Sequence, residues 1–153
     1  IPRRRDLAVR LGAAEAWDPR AAAVDAEMRE RTGGRGADLV IVAASAPGIV
    51  GQAIDSSRPG ARILLFAQTS ELERIEFSGA SVCAGERTLM GCYSASVDLQ
   101  RQSAELVFSG ELPVRHLISH CLPLEKIAAG FDMALHPDEQ SLKIIVQPQR
   151  WKW

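Results

Sequence analysis

The chain has 153 residues, of which 46% are apolar and 24% charged, and its formal net charge is -1. That length suits one globular domain with a real core. The near-neutral charge provides no global field that would attract nucleic acid or an anionic membrane. The arginines at positions 3–5 are followed by Asp6, which indicates a solvated helix start rather than a nucleic-acid-binding patch. No apolar run reaches the roughly 18–20 residues of a membrane span, and we recognise no secretory signal.

The cysteine content and the first residue also constrain the protein. Cys83, Cys92 and Cys121 are few and odd in number, which suits a reducing cytoplasm rather than a disulfide framework. The chain begins at Ile1, without an initiator Met. We therefore expect an N-terminal truncation, by processing or by design.

The first forty residues predict two helices and a short strand. Residues 5–11 have helical composition, and residues 15–17 are a strand candidate. Asp18 and Pro19 predict the start of the second helix, because Asp is a good N-cap and Pro is well suited to the first helical position. This helix should run to about residue 32, where a glycine-rich segment ends it.

Apolar runs alternate with helical patterns along the rest of the chain. Continuous apolar runs between turn residues are typical of strands buried on both faces of a parallel sheet. They predict strands at residues 37–44, 62–67, 88–92 and 142–146, with extended segments at 75–77 and 116–122. Helices are predicted at 47–54, 98–108 and 124–135, and a turn at 58–60.

This alternation of strands and helices indicates crossovers on a parallel sheet. We predict one α/β domain over residues 1–147, with a parallel Rossmann-like sheet and flanking helices, and a tail at 148–153. No internal repeat or linker interrupts it.

Four separated blocks resemble the zinc-type medium-chain alcohol and polyol dehydrogenases, in particular the sorbitol and threonine dehydrogenases. The block TGGRGAD at residues 32–38 is similar to the segment before the family's fourth Rossmann strand. RPGAR at 58–62, running into LLFA, resembles the glycine turn and fifth strand, and MGCYS at 90–94 resembles the sixth strand and its loop. LPLE at 122–125, closed by LKIIV at 142–146, resembles the family's C-terminal helix and final strand.

The resemblance implies that this chain starts downstream of the family's phosphate-binding elements. Members of the family begin the nucleotide-binding domain with a strand, a Gly-x-Gly-x-x-Gly loop and a helix, followed by a strand that ends in a ribose-binding acid. Arg4 matches an arginine that often follows this acid, which would place the acid just before Ile1. The cofactor implied is NAD or NADP. The zinc ligands of the family lie in an N-terminal catalytic domain and are expected to be absent here.

The predicted cofactor groove lies beyond the carboxyl ends of the parallel strands, where open α/β sheets bind their ligands. By resemblance, three strand ends and Arg4 contribute to it. The predicted cofactor-binding residues are Arg4, Ala43, Ala44, Ser45, Phe66, Ala67, Gln68, Gly91, Cys92 and Tyr93. Small residues at strand ends can also serve only to turn the chain. For Ser45 and Gln68 this structural role and cofactor binding are equally supported, and for Cys92 the structural role is favoured. Arg4 could bind the adenosine ribose or a 2′-phosphate, but a solvated charge at a helix start is the favoured role.

Three positions depart from the pattern of the family. Val42 occupies a place often taken by Asp or Glu, and Ser45 and Ala67 occupy places that are usually Gly. Each added side-chain atom narrows a groove that backbone and ligand must share. These changes bear on cofactor affinity and on substrate class.

Other chemistries are not supported by the residues. His116 and His120 have helical ligand spacing, but the β-like run around Ile118 argues against a helix there, so structural or surface roles are favoured. The cysteines form no C-x-x-C pair. Tyr93 lacks the Lys four residues later that a short-chain dehydrogenase needs, since position 97 is Val. We predict no catalytic and no metal-binding residue in this chain.

The favoured function of the parent enzyme is hydride transfer between a nicotinamide cofactor and a secondary alcohol or polyol, with zinc bound elsewhere in the enzyme. This chain would contribute one wall of the cofactor site. We expect the isolated chain to be inactive and to self-associate, because a sheet that lacks its first strand exposes apolar faces and an unpaired edge. The alternative is a non-catalytic binding or assembly module. A flavodoxin-like or methyltransferase domain fits less well, since neither the TGGRGAD block nor the LKIIV ending is expected there.

Overall fold

The computed structural model describes residues 1–67, 74–93 and 96–148. Its helices are α1 (Pro2–Arg10), α2 (Val24–Arg31), α3 (Ile49–Ser56), α4 (Gly79–Cys83), α5 (Val97–Phe108) and α6 (Ile127–Leu135). Its strands are β1 (Ala37–Val42), β2 (Ser57–Leu65), β3 (Thr88–Gly91), β4 (Ile118–Pro123) and β5 (Lys143–Gln147), and short 3-10 helices occur at Val114–Leu117 and Leu124–Lys126. The chain divides into two compact units: a central unit of residues 17–95, and a terminal unit that combines residues 1–16 with the chain from residue 96 onward.

The central unit is built on a three-stranded sheet in the order β1-β2-β3, and all its strands are parallel. Val40 lies beside Ile63, which lies beside Leu89, so these side chains share one face. Helix α3 packs on that face through Val50 and Ile54, and Ile63 at its centre is fully buried. The parallel Rossmann-like sheet predicted from the apolar runs is confirmed.

The opposite face of this sheet is exposed, which corrects one expectation. Leu39 is 51% and Ile41 55% exposed, so the predicted burial of residues 37–44 on both faces is wrong for β1. The core of the central unit lies on the α3 side of the sheet. An apolar run shows that both faces suit burial, but it does not supply the element that covers the second face.

The glycine-rich segment before β1 forms a tight turn. The Thr32 hydroxyl donates to the Met28 carbonyl (2.7 Å) and accepts from the Gly36 amide (2.8 Å). Gly36 has φ +92°, and a Cβ there would lie 2.9 Å from the backbone nitrogen of Arg58. The turn therefore brings the start of β1 directly against the start of β2, a distance that only glycine permits.

Asp38, the single charge in the first apolar strand, is held by two arginines. Its carboxylate accepts from Arg58 Nε and, at 3.1 Å, from Arg35. The hydrogen bond and the charge of Arg58 lower the pKa of Asp38, and Arg35 adds to the effect. The register between β1 and β2 shifts beside this contact, between Ala37 and Leu39. The predicted turn at 58–60 thus lies within β2, as an irregularity of the strand.

The terminal unit contains a second, two-stranded parallel sheet of β4 and β5. Helix α6 packs closely on it at Gly130, where a Cβ would lie 3.2 Å from Leu122 Cδ1 and 3.6 Å from Val146 Cγ2. Helices α5 and α6 and strand β5 match their predicted positions to within a few residues. None of the helices in the described part of the chain combines the length and apolar character that crossing a membrane requires.

Two predictions differ from the structure, and a third is not decided. Residues 15–17 do not form the predicted strand, and residues 75–77, predicted as extended, belong to no strand. The second helix begins at Val24 instead of residue 19. Asp18 does form a local cap, since its carboxylate accepts from the Arg20 amide (3.1 Å) and its carbonyl from Ala21 and Ala22. That cap closes a single turn, because these polar hydrogen bonds can be satisfied without a continuing helix.

Candidate functional site

The carboxyl ends of β1, β2 and β3 lie at the same edge of the central sheet. Val42 pairs with Leu65, which pairs with Gly91. Backbone hydrogen bonds continue past the strands: the Val42 carbonyl accepts from Ala67 (2.9 Å), and the Leu65 carbonyl accepts from Cys92 (3.3 Å). The loops that follow the strands therefore leave the sheet side by side, which is the arrangement that open α/β sheets use for ligand binding.

A cavity of about 420 Å³ lies at this edge of the sheet. Its wall combines the last residues of β1 and β2, the loop and first turn of α3, and a segment after β2. The lining residues are Val42, Ala44, Ser45, Ala46, Pro47, Gly48, Ile49, Val50, Leu65, Ala67, Arg74, Ile75 and Glu76. This volume is within the range of small-molecule sites, which is roughly 300–1,000 Å³.

The first residues of helix α3 form part of the cavity wall. Gly48 adopts φ +76° as the N-cap, a conformation that lets the chain reverse from the loop into the helix. The Ile49 amide donates to the Ala46 carbonyl (3.2 Å), which closes the loop. Val50 is buried in the core beneath, so packing holds the first turn of α3 in place.

The cavity has an apolar floor and a polar rim. Val42 and Leu65 form the floor, and Val42 is also part of the buried core. Ser45, Arg74 and Glu76 supply the polar groups, and all three are exposed. Such a site can accept a largely apolar group and can offer a hydroxyl, a cation and a carboxylate to polar substituents.

A second cavity of about 320 Å³ lies between α2, α3 and β1. Ala43 and Ala44 line it together with Val24, Gln52 and Ser56, among others. Ala44 borders both cavities. The two cavities thus flank the end of β1, one on the β2 side and one toward α2.

The structure brings together three of the predicted cofactor-binding residues. Ala44, Ser45 and Ala67 line the larger cavity, whereas Ala43 lines only the smaller one. Phe66 lines neither, and its side chain is 60% exposed.

The other predicted residues lie elsewhere or outside the description. Gly91, Cys92 and Tyr93 follow β3 at the same sheet edge but line neither cavity. Gln68 lies outside the described residues. Arg4 belongs to the terminal unit, where its guanidinium donates to the Ser141 carbonyl (2.9 Å). Their assignment to a cofactor groove stays a prediction.

The sequence reasoning missed the residues that reach the cavity from a distance. Residues 74–76 had only a weak extended pattern, and their approach to the β1 loop depends on tertiary contacts. Pro47 and Gly48 carry a signal, because a Pro-Gly pair a few residues after a strand indicates a tight turn into a helix as well as the helix itself.

The described residues hold no group of three or more His, Cys, Asp or Glu side chains that could bind a metal ion. His116 lies in a 3-10 helix and His120 in β4, so they do not share a helix face. His120 Nδ1 instead lies 2.9 Å from the Ser119 hydroxyl. The cysteines Cys83, Cys92 and Cys121 are free and exposed.

Comparisons with known proteins agree with this geometry. The chain is 25% identical over 147 residues to (R,R)-butanediol dehydrogenase from Neisseria gonorrhoeae, covering 95% of this chain and 41% of that protein. It is 25% identical over 129 residues to D-xylulose reductase from Saccharomyces cerevisiae, covering 84% of this chain and 36% of the relative. The crystal structure of 2R,3R-butanediol dehydrogenase from Bacillus subtilis superposes with a TM-score of 0.85 at 25% identity, over 97% of this chain and 42% of that one.

The chain thus spans about two fifths of the length of the relatives that it matches. A family model described as zinc-binding dehydrogenase matches residues 1–109, well over half of the chain. Its match includes the whole central sheet and the cavity at the ends of β1 and β2. This chain belongs to the zinc-binding dehydrogenase family.

Proposed function

We propose that this chain forms part of the nicotinamide-cofactor-binding surface of an NAD- or NADP-dependent alcohol or polyol dehydrogenase. The observation that carries the proposal is the cavity of about 420 Å³ at the carboxyl ends of the parallel strands β1 and β2, which lie at the same edge of the sheet. Membership of the zinc-binding dehydrogenase family supports it, as does the likeness to butanediol dehydrogenases and a xylulose reductase. The substrate class is therefore a secondary alcohol or polyol and its ketone.

The residues of the cavity have binding and orienting roles in this proposal. When bound, the nicotinamide ring supplies the hydride chemistry. Val42 and Leu65 would hold an apolar part of the cofactor and keep water away from it. The Ser45 hydroxyl offers a hydrogen bond at the rim, and Ala44 and Ala67 leave room beside it. Ala43, Phe66, Gly91, Cys92 and Tyr93, which follow the three strands of the central sheet, extend this surface in the proposal. The assignments of Gln68 and Arg4 to a cofactor groove remain predictions.

The described residues do not fit a zinc site, because no three suitable side chains come together among them. We assign no step of the reaction to zinc in this chain. The matched relatives are more than twice as long as the matched region, so the dehydrogenase reaction of the whole enzyme is itself a proposal.

Self-association in a reducing cytoplasm is part of the same proposal. Leu39 and Ile41 expose an apolar sheet face, which favours association with another surface. The cysteines are free, as a reducing compartment requires. Sedimentation equilibrium that reports only a monomer would remove the proposal of a homo-oligomer.

The test is cofactor binding by the 153-residue chain, with NADH and NADPH titrated against the protein and binding followed by nicotinamide fluorescence. The variant Ala67→Leu places a larger side chain in the cavity wall. We expect it to weaken binding by roughly tenfold or more, because a filled pocket must repack before a ligand enters. Ala129→Leu, on an exposed position of α6, is the matched control and should bind as the parent does.

Equal binding by Ala67→Leu and Ala129→Leu would contradict the proposal. Absence of saturable binding of either cofactor would contradict a binding site that is complete within this cavity. Mixing the chain with cofactor and 2,3-butanediol or xylitol should give no change in absorbance at the nicotinamide band. Turnover there would overturn the expectation that the chain alone is inactive.

A further inference from the structure

Helix α1 has little apolar surface with which to dock. Its sequence is strongly polar, and Leu7 is its single buried residue. The burial of one leucine stabilises the helix by less than the backbone entropy that is lost when nine residues are ordered. Further contacts must therefore hold α1 against the rest of the terminal unit.

Those contacts come from two arginines in the first turn of α1. Arg3 donates from Nη1 to the Gln140 carbonyl (3.2 Å) and also contacts the Gln140 side-chain oxygen. Arg4 donates from Nη2 to the Ser141 carbonyl (2.9 Å). Both acceptors belong to one turn, at residues 138–141, which directly precedes β5. Two adjacent guanidinium groups thus bind two adjacent carbonyls.

A single carboxylate organises that turn. Asp138 Oδ1 accepts from the Gln140 amide (2.9 Å), the Ser141 amide (2.8 Å) and the Ser141 hydroxyl (2.6 Å). The Ser141 amide shares a peptide plane with the Gln140 carbonyl, so its hydrogen bond to Asp138 turns that carbonyl away from the carboxylate, where Arg3 donates to it. Ser141 is only 4% exposed, which limits its freedom to reorient.

The turn is also anchored to the β4–β5 sheet. The amide of Leu142, the next residue, donates to the Ser119 hydroxyl (2.9 Å), and this hydroxyl donates to the Lys143 carbonyl (3.2 Å). Ser119 lies in β4 and Lys143 opens β5. A continuous chain of hydrogen bonds therefore runs from the sheet through the turn to α1.

We propose that Asp138 is the positioning residue of a latch, formed by Arg3, Arg4 and the turn 138–141, that holds α1 on the β4–β5 sheet. The carboxylate does not touch α1. It acts through the Gln140 carbonyl, whose peptide plane it holds, and through the Ser141 side chain and amide, which it fixes within the turn that presents the Ser141 carbonyl to Arg4. The latch is a conformational device that stands independently of cofactor binding, since every contact in it lies within the terminal unit. Its release would free α1 while leaving the sheet intact.

The test is hydrogen–deuterium exchange of the full chain, comparing amides of residues 6–10 in α1 with those of β4 and β5. Asp138→Ala removes the acceptor of the turn, and Glu139→Ala, at the neighbouring exposed acid, is its matched control. Arg4→Lys keeps the charge but loses the guanidinium geometry, and Arg10→Lys is the control in the same helix. Asp138→Asn keeps a side-chain oxygen that can accept the same hydrogen bonds.

Asp138→Ala and Arg4→Lys are expected to accelerate exchange in α1 by about threefold to tenfold, because a hydrogen bond to a charged group is worth more than a neutral one but is weakened at an exposed site. The controls should exchange as the parent does, and Asp138→Asn should restore most of the protection. Exchange in β4 and β5 should stay unchanged. Unchanged exchange of α1 in Asp138→Ala would overturn the proposal, and so would equal acceleration in α1, β4 and β5, which would indicate a general structural role.

Discussion

Replacing Gly36 with alanine tests whether the approach of β1 to β2 depends on the absence of a side chain. Gly36 has φ +92°, and an added Cβ would lie 2.9 Å from both the Arg58 nitrogen and the Ser57 carbonyl carbon, and 3.0 Å from the Ser56 carbonyl oxygen. All three neighbours are backbone atoms, so no side chain can rotate away. Relief requires the start of β2 or the turn before β1 to move.

The magnitude follows from two separate costs. A non-glycine residue held at positive φ costs roughly 1–3 kcal/mol. Forcing an extra carbon into a packed position costs typically about 1–3 kcal/mol more. Gly34→Ala isolates the first cost, because Gly34 has φ +86° with nothing within 4 Å of an added Cβ. We therefore expect Gly36→Ala to lose about 1–3 kcal/mol more stability than Gly34→Ala.

Urea unfolding followed by far-ultraviolet circular dichroism measures both variants against the parent. The free energy of unfolding at zero denaturant should fall in the order parent, Gly34→Ala, Gly36→Ala, with similar dependence on urea concentration. Equal destabilisation by the two substitutions would refute the steric part of the reasoning. A Gly36→Ala variant as stable as the parent would refute the close approach itself.

Ile63→Ala should cost about 2–5 kcal/mol in urea unfolding, because the fully buried side chain leaves a cavity between the sheet and α3. Arg87 donates to the Ser57 carbonyl (2.8 Å), the Ser57 hydroxyl (2.9 Å) and the Ser81 carbonyl (2.5 Å). Arg87→Lys should therefore cost about 1–3 kcal/mol in the same assay, because one ammonium group cannot replace all three bonds. Arg58→Gln should raise the pKa of the Asp38 carboxyl toward its ordinary value in an NMR titration, because the hydrogen bond and charge of Arg58 are the main causes of its depression.

These predictions have their own controls. Ile41→Ala removes the same atoms from an exposed position and should cost much less than Ile63→Ala, and Arg62→Lys is the exposed counterpart of Arg87→Lys. Since the folded pKa of Asp38 is depressed, its stabilising contribution is present above the unfolded pKa and is lost as the pH falls through the folded pKa. An Asp38 pKa that does not move in Arg58→Gln, or that falls, would contradict the ion pair.

Much of the local structure could be predicted from sequence. The apolar runs at 37–44 and 62–67 overlap β1 and β2, and the pattern at 98–108 differs from α5 by one residue. Such runs can be assigned from the sequence alone, because turn residues mark their ends and their length distinguishes strands from helices. The cap at Asp18 misled for the opposite reason: a local hydrogen bond can close one turn without a helix behind it.

The lining of the candidate cavity was predictable only where it follows from the rule for parallel strands. That rule led to Ala44, Ser45 and Ala67, since residues directly after strands must lie at the carboxyl edge of the sheet. It could not lead to Arg74 or Glu76, which reach the same cavity across an irregular segment.

By itself, the sequence determined most of the segments that become strands, that the strands run parallel, and which family the chain resembles. Only the tertiary structure decided where β1 is left exposed, which loops close the cavity, and that Arg4 binds the Ser141 carbonyl. Apolar periodicity and turn chemistry act between neighbours along the chain, so a reader of the sequence can see them. Burial and side-chain pairing across 137 positions depend on how the whole chain packs, and no local pattern encodes them.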